Sequence, residues 1–280
     1  YLGELRKGLG EFNESLQVSR AVGDSREEAK ALLYIGAVYQ SLGETQKGLE
    51  KCNEALHVSR AAGDRRGEAH ALNNIGMGYM WLGEMRKALD KFNEALPLSR
   101  LVGDRYREGN ILGNMGVTYQ SLGETRKALE KCNESLLICQ SLDKRVAQVS
   151  MLNRIGEIHW SLGETQKALE KYNEALPLSR VAGDLTGEAT ALDNIGEIHR
   201  SLGETQKALE KYNEALPLRQ AVGRRREMAG TLHKIGEVYR SLGETQKALD
   251  KFNEALPLSR AVGDRNGEAA TLLAIARVEQ

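Results

Sequence analysis

Residues Ser161 to Arg200 read SLGETQKALEKYNEALPLSRVAGDLTGEATALDNIGEIHR, and the chain repeats this phrase about every 40 residues. Ser201 and Ser241 begin the same words, Ser41 and Ser121 begin close variants, and looser copies start at Tyr1 and Trp81. Seven such copies account for all 280 residues. A fixed period of this size is the mark of supersecondary units stacked in a row, because each unit alone buries too little apolar surface to offset the entropy of ordering it. The expected organisation is therefore a single array over 1–280 rather than two globular domains. Its opening on the tail of one unit suggests a piece of a longer protein.

Within a copy, Glu68 to Gly83 places Leu72, Ile75, Gly76, Tyr79 and Leu82 at helical spacing. This is one apolar face of a first helix, A, with Gly83 as its stop. Glu84 to Gly103 places Ala88, Leu89, Phe92, Ala95, Leu96 and Leu98 on one stripe of a second helix, B, which Gly103 ends. Asp104 then stands where its carboxylate can cap the next helix A, with Glu108 in the first turn. The spacing predicts helix A near 25–42, 65–82, 105–122, 145–162, 185–202, 225–242 and 265–280. It predicts helix B near 44–62, 84–102, 124–142, 164–182, 204–222 and 244–262. Tyr1–Gly3 reads as the end of another helix A, followed by a helix B over 4–23. Gly76 and Ala88 fall where two helices must approach closely.

The run Leu72-x2-Ile75-Gly76-x2-Tyr79 with Ala88-x3-Phe92 and Ala95 resembles the tetratricopeptide repeat signature, with Leu in place of its Trp. Each unit is longer than the usual repeat of about 34 residues. In this the chain is similar to the extended repeats of Partner-of-Inscuteable adaptors and kinesin light chains, and to cyanobacterial repeat arrays that form arms of larger signalling proteins. The resemblance implies an all-α fold, a right-handed superhelical solenoid of antiparallel helix pairs, with helix A lining the concave side.

Two junctions depart from the pattern. At Ser141-Leu142-Asp143-Lys144 the Gly-Asp pair is lost, so helix B is expected to end differently or run on. At Gly223 the cap is Arg224, and Arg219, Arg224, Arg225 and Arg226 form a basic knot, either a solvated loop or a contact for an anion or acidic partner. Pro97, Pro177, Pro217 and Pro257 share one outward position in helix B, where each removes a backbone bond and is expected to bend the helix. An Asn stands one turn before that position in every copy, prolines or not, and the sequence supplies no reason for it.

Comparing copies separates two kinds of position. Numbering Leu72 as 4, the core positions 4, 7, 8, 11 and 14 barely change, whereas the opposite face of helix A (2, 5, 6, 9, 12 and 13) diverges. Neutral drift on an exposed surface is one explanation. The other is a graded groove for a peptide or partner domain. Its N-terminal half would be apolar and amide-rich (Tyr34, Asn73, Asn74, Met77, Met80, Trp81, Asn114, Val117). Its C-terminal half would be charged (Asn153, Arg154, Glu157, Asp193, Asn194, Glu197, Arg200, Lys234, Glu237, Arg240). Asn side chains can bond a peptide backbone and a charge ladder can set its register. The family's Asn at position 6 carries over only onto Asn74, Asn114 and Asn194.

Composition narrows the function. Lys plus Arg and Asp plus Glu are both 39, giving no net charge, which argues against nucleic acid or an anionic membrane as partner. No run approaches the ~20 apolar residues of a membrane span. Three cysteines fit packed, reduced thiols and a cytoplasmic protein. His159 and His199 replace Tyr at position 11, but no further ligand accompanies them and no metal is expected. There is no phosphate loop, dinucleotide fingerprint, zinc spacing or nucleophile–base set, so no catalytic residue and no cofactor is assigned. The expectation is a non-enzymatic interaction scaffold. The alternatives are a sensor arm of a larger signalling protein and an array that associates end to end.

Overall fold

The computed structural model describes residues 2–279, and Tyr1 and Gln280 lie outside that description. Fourteen α-helices occupy the described residues, with no strand among them. They are α1 (Leu2–Val22), α2 (Ser25–Ser41), α3 (Thr45–Ala61), α4 (Arg65–Trp81), α5 (Met85–Leu101), α6 (Arg105–Ser121) and α7 (Thr125–Ser141). The remainder are α8 (Arg145–Ser161), α9 (Thr165–Ala182), α10 (Leu185–Ser201), α11 (Thr205–Ala221), α12 (Arg225–Ser241), α13 (Thr245–Ala261) and α14 (Arg265–Val278). From α2 onward, even helices are A and odd helices are B. The fold is an all-α helical repeat solenoid.

Contacts gather into two units, residues 1–143 and 144–280. In each, a helix A packs on its own helix B and on the helix B before it, and also touches a neighbouring helix A (α2 on α4 and α4 on α6; α8 on α10 and α12 on α14). Each unit therefore has an inner face built by A helices and an outer one built by B helices.

The close approach expected at Gly76 is present. A Cβ there would lie 2.5 Å from the Phe92 ring, and one at Gly156 would lie 2.5 Å from the Tyr172 ring. Ala88 is fully buried. Asp24, Asp64, Asp104, Asp184 and Asp264 each accept backbone N–H bonds from the first turn of the following helix A. Cys52 and Cys132 are fully buried, and burial pushes the Cys52 thiol up to about 12.

Three expectations change. Gly3 is helical, whereas the equivalent Gly43 and Gly83 take φ of 81° and 77°, so nothing breaks α1 and it runs from Leu2 as one helix. At the 141–144 junction α7 stops at the residue equivalent to the ends of α3, α5, α11 and α13, because Asp143 itself adopts the left-handed conformation (φ 48°) that glycines use elsewhere. Asp is among the few side chains that tolerate it. The recurring Asn of helix B also finds a role: Asn13, Asn53 and Asn133, in the copies without proline, donate to the carbonyls of Leu9, Leu49 and Leu129 one turn back, at 2.7–2.9 Å. Pro97, Pro177, Pro217 and Pro257 are exposed and sit inside helices that continue through them.

A salt bridge recurs at five junctions. Arg20, Arg60, Arg100, Arg180 and Arg260 at the end of a helix B each donate Nε to Glu28, Glu68, Glu108, Glu188 and Glu268 in the next helix A, at 2.7–2.8 Å. The two remaining junctions lose both partners together, having Gln140 with Gln148 and Gln220 with Met228.

Candidate inner-face binding site

Position 5 does not belong to an exposed groove. Asn73, Asn153 and Asp193 are 6%, 5% and 6% exposed. They are polar because each bonds the next repeat. Asn114 Nδ2 donates to Asn73 Oδ1 (3.1 Å), Asn153 Nδ2 to the Gly187 carbonyl (3.0 Å), and Thr231 Oγ1 to both Asp193 oxygens (3.0 Å). His233 Nδ1 continues the series to Thr271 Oγ1 at 3.2 Å. A wheel drawn for one helix against one partner misplaces this position. Helix A is touched by two B helices and by A neighbours, so its buried arc exceeds half a turn. For the same reason position 10 (Gly78, Thr118, Ile158, Ile198) is buried. Position 14 is not core at Leu82, Leu162 and Leu202, which follow the last helical residue and are exposed.

Positions 6, 9 and 12 do reach the inner surface. In the first unit, Asn74, Met77, Asn114 and Val117 are half-buried, with Tyr34 and Trp81 50% and 51% exposed. Phe12 stacks on Tyr34 with ring centroids 5.0 Å apart. Gln40 is buried, its Nε2 donating to the Asn74 carbonyl at 3.2 Å, and the half-buried Asn74 side chain accepts from Asn73 Nδ2 at 3.5 Å.

In the second unit the face is ionic. Arg154 bonds Glu157 at 3.2 Å, Arg240 bonds Glu237 at 2.7 Å, and Arg200 forks onto Glu197. Glu197 also accepts from the buried Tyr212 hydroxyl at 2.9 Å. Burial alone would raise the Glu197 carboxyl, but the hydrogen bonds from Arg200 and Tyr212 and nearby positive charge outweigh it and hold it below the usual carboxylate range. Burial, with the Glu197 charge, pushes the Tyr212 phenol up, so it remains a donor. Lys234 lies 5.7 Å from the Tyr212 ring centroid and 3.8 Å from Asp193. A cleft of about 440 Å³ opens among Glu197, Arg200, Lys234, Glu237, Leu273 and Arg277. Asn194 is half-buried on α10, its Nδ2 without a partner.

Arg219 departs from the basic knot to which its sequence neighbours assign it. It is 7% exposed and donates Nη2 to Asp193 Oδ2 at 2.6 Å. The equivalent residues are Ser19, Ser59, Ser99, Cys139, Ser179 and Ser259. Arg219 therefore belongs not to the basic knot but to a buried Arg219–Asp193–Thr231 triad. The signal was available: the one copy with Asp at position 5 is followed by the one copy with Arg at this place.

His159 and His199 accept or donate through Nδ1 to Glu164 and Glu204, both at 2.5 Å, where the tyrosines of other copies lie under Lys47, Lys87, Lys127 and Lys247. No group of three metal-ligating side chains occurs among the described residues. No helix among them is long and apolar enough to cross a membrane.

The sequence profile described as tetratricopeptide repeat matches residues 27–100, 67–141, 107–180, 147–221 and 227–280. No curated protein matches the chain. Among solved structures, BtubC from P. vanneervenii is similar at 20% identity and a TM-score of 0.68, covering 78% of this chain and 92% of that one. A STAND signal-transduction ATPase with a tetratricopeptide repeat sensor, from Pyrococcus horikoshii, aligns at 17% identity and a TM-score of 0.77. The match covers 91% of this chain but 39% of the ATPase chain, so this chain spans about two fifths of that protein's length. A Rap protein complexed with Competence and Sporulation Factor aligns at 17% identity and a TM-score of 0.70, over 94% and 72% of the two chains. At these identities the likeness concerns the fold.

Proposed function

Since this chain belongs to the tetratricopeptide repeat family, we propose that it is a non-enzymatic interaction module whose A-helix faces hold a peptide or a segment of a partner protein. The observation that carries this is the division of labour along helix A. Positions 4, 5, 7, 8 and 10 are consumed by stacking, while 6, 9 and, Gln40 apart, 12 are left at the inner surface and differ in chemistry from copy to copy. A face freed from packing and lined with amides, methionines and fixed ion pairs is suited to reading a chain. The residues that serve are Tyr34, Asn74, Met77 and Asn114 in the first unit, and Arg154, Glu157, Asn194, Glu197, Arg200, Lys234, Glu237 and Arg240 in the second. Asn73, Asn153 and Asp193 support them from beneath.

A regulatory version, in which such an arm senses a ligand for other domains, draws support from the STAND protein described as having a repeat sensor and from the Rap protein complexed with a signalling factor. Photo-cross-linking tests both. A benzophenone side chain is placed at Asn114 or Glu197 on the inner face, or at Pro97 on the outer face, and the protein is exposed to extract of its own host. Cross-links confined to the inner positions support the proposal. Equal labelling from Pro97, or loss of no adduct when Glu157, Glu197 and Glu237 are reversed to Lys together, would overturn it.

A further inference from the structure

A second cleft in the second unit, of about 410 Å³, lies between α8 and the start of α10. Its walls carry three hydroxyls, those of Ser150, Thr186 and Thr190. They also carry two arginines, Arg154 and Arg224, balanced by Glu157 and Asp184. Beneath this rim sits Asn153, whose Nδ2 is spent on the Gly187 carbonyl and whose Oδ1 has no partner. Arg154 Nε, beside it in sequence, is likewise buried and unpartnered. A wall with one idle acceptor and one idle donor specifies its guest, because groups left buried without partners penalise every occupant that cannot satisfy them.

We infer that this cleft is a subsite for a primary carboxamide, the side chain of a Gln or Asn carried by the bound segment. The carboxamide NH2 donates to Asn153 Oδ1 and its carbonyl accepts from Arg154 Nε. Reaching them takes a rotation of the Arg154 side chain, which is one-third exposed and anchored through a 3.2 Å bond to Glu157. With two arginines balanced by two carboxylates, hydrogen bonding decides: an ionised carboxylate or phosphate has no hydrogen to give Asn153 Oδ1. A Lys or Arg has no acceptor for Arg154 Nε. An apolar side chain would leave both idle groups unsatisfied. Glycine at 187 is part of the design: a Cβ there would strike Asp184 and Val149, so α10 could not close on α8.

The inference rests on the A face being the docking surface, and its test is separate from the cross-linking above. The full chain, labelled with 15N, is titrated with N-acetylglutamine N-methylamide and, in parallel, with the glutamate and methionine analogues. The Asn153 side-chain NH2 signal is identified by its loss in Asn153→Leu. That variant is expected to fold, at the loss of one bond to the Gly187 carbonyl, because Leu33 fills the same repeat position and is buried there. Selective shifts of the Asn153 side-chain and Gly187 backbone N–H signals by the glutamine compound, at least about fivefold tighter than by either analogue, with the Gly187 shift and its selectivity lost in Asn153→Leu, support the subsite. Equal shifts with all three compounds, or none up to roughly 50 mM, overturn it. If glutamine selectivity fails while inner-face cross-linking persists, the subsite falls alone; if cross-linking fails while selectivity holds, the docking surface falls instead.

Discussion

The two units solve the same packing problem with different chemistry. In the first, position 5 of α4 is Asn73, which makes a neutral bond to Asn114 at 3.1 Å. In the second, position 5 of α10 is Asp193, which gathers Arg219, Thr231 and, at 3.8 Å, Lys234. The first unit holds its hairpin junctions with the repeated Arg–Glu bridge. The second lacks that bridge between α11 and α12, and there the Arg moves one residue earlier and turns inward. A neutral amide ladder can lose a member cheaply. A buried charge cannot, since removal of one ion strands the other without water.

The sharpest way to break the comparison is to truncate both positions. Asp193→Ala is expected to destabilise by about 3–5 kcal/mol. Asn73→Ala is expected to cost about 1–2 kcal/mol. Amide hydrogen exchange read helix by helix should show the loss in α10–α12 and α4–α6 respectively. The pair Asp193→Asn with Arg219→Ser, which restores the residues of other copies, should recover most of the first loss. Failure to recover would mean the triad is not a self-contained replacement.

Next in size is the helix-to-helix approach. Gly156→Ala in the second unit meets the Tyr172 ring at 2.5 Å, and Gly36→Ala in the first meets Cys52 Sγ at 2.6 Å and the Gly48 carbonyl at 3.0 Å. Each should cost about 1–3 kcal/mol by thermal unfolding. Adding Cys52→Ala should relieve only part of the Gly36→Ala loss, because the carbonyl remains.

Acid bears on both units, since burial lowers His70 in the first and His233 in the second. Burial, reinforced by the Arg107 charge and opposed by Asp104, lowers His70 to about 4 from an ordinary 6.5. A base held below its unfolded pKa supports the fold above that unfolded value, and the support disappears as pH falls from about 6.5 through 4. His70→Asn, the residue of the next copy (Asn110), should remove about 1–2 kcal/mol of pH dependence in that window, less than the full shift because the ring is partly exposed. The smallest effect belongs to the junction bridge. Arg60→Gln should cost about 0.2–1 kcal/mol at pH 7, since Arg60 is half in water. Burial would raise Glu68, but hydrogen bonds from Arg60 and Arg65 hold it low, so the difference should vanish as pH drops below the carboxylate range.

Much of the fold was legible from residues alone. Gly76 facing Phe92 and the Asp–helix caps follow from spacing, because a 40-residue repeat forces one local geometry on every copy. The inner face was legible less evenly. Tyr34, Met77, Glu197 and Arg240 reach the surface, yet Asn73, Asn153 and Asp193 do not, and Arg219 joins a buried triad instead of the basic knot. Each of those four depends on what a neighbouring hairpin presents, and one helix's periodicity holds no record of that.

The sequence by itself determined the unit: two helices of fixed length, their stops, and the stripe that joins them, all set by interactions within about 40 residues. Only the tertiary structure decided which polar residues are ligand-facing and which are structural. That choice is made where A helices crowd one another on the inner face, and a polar side chain there stays in water or bonds across the gap according to what the next repeat offers it.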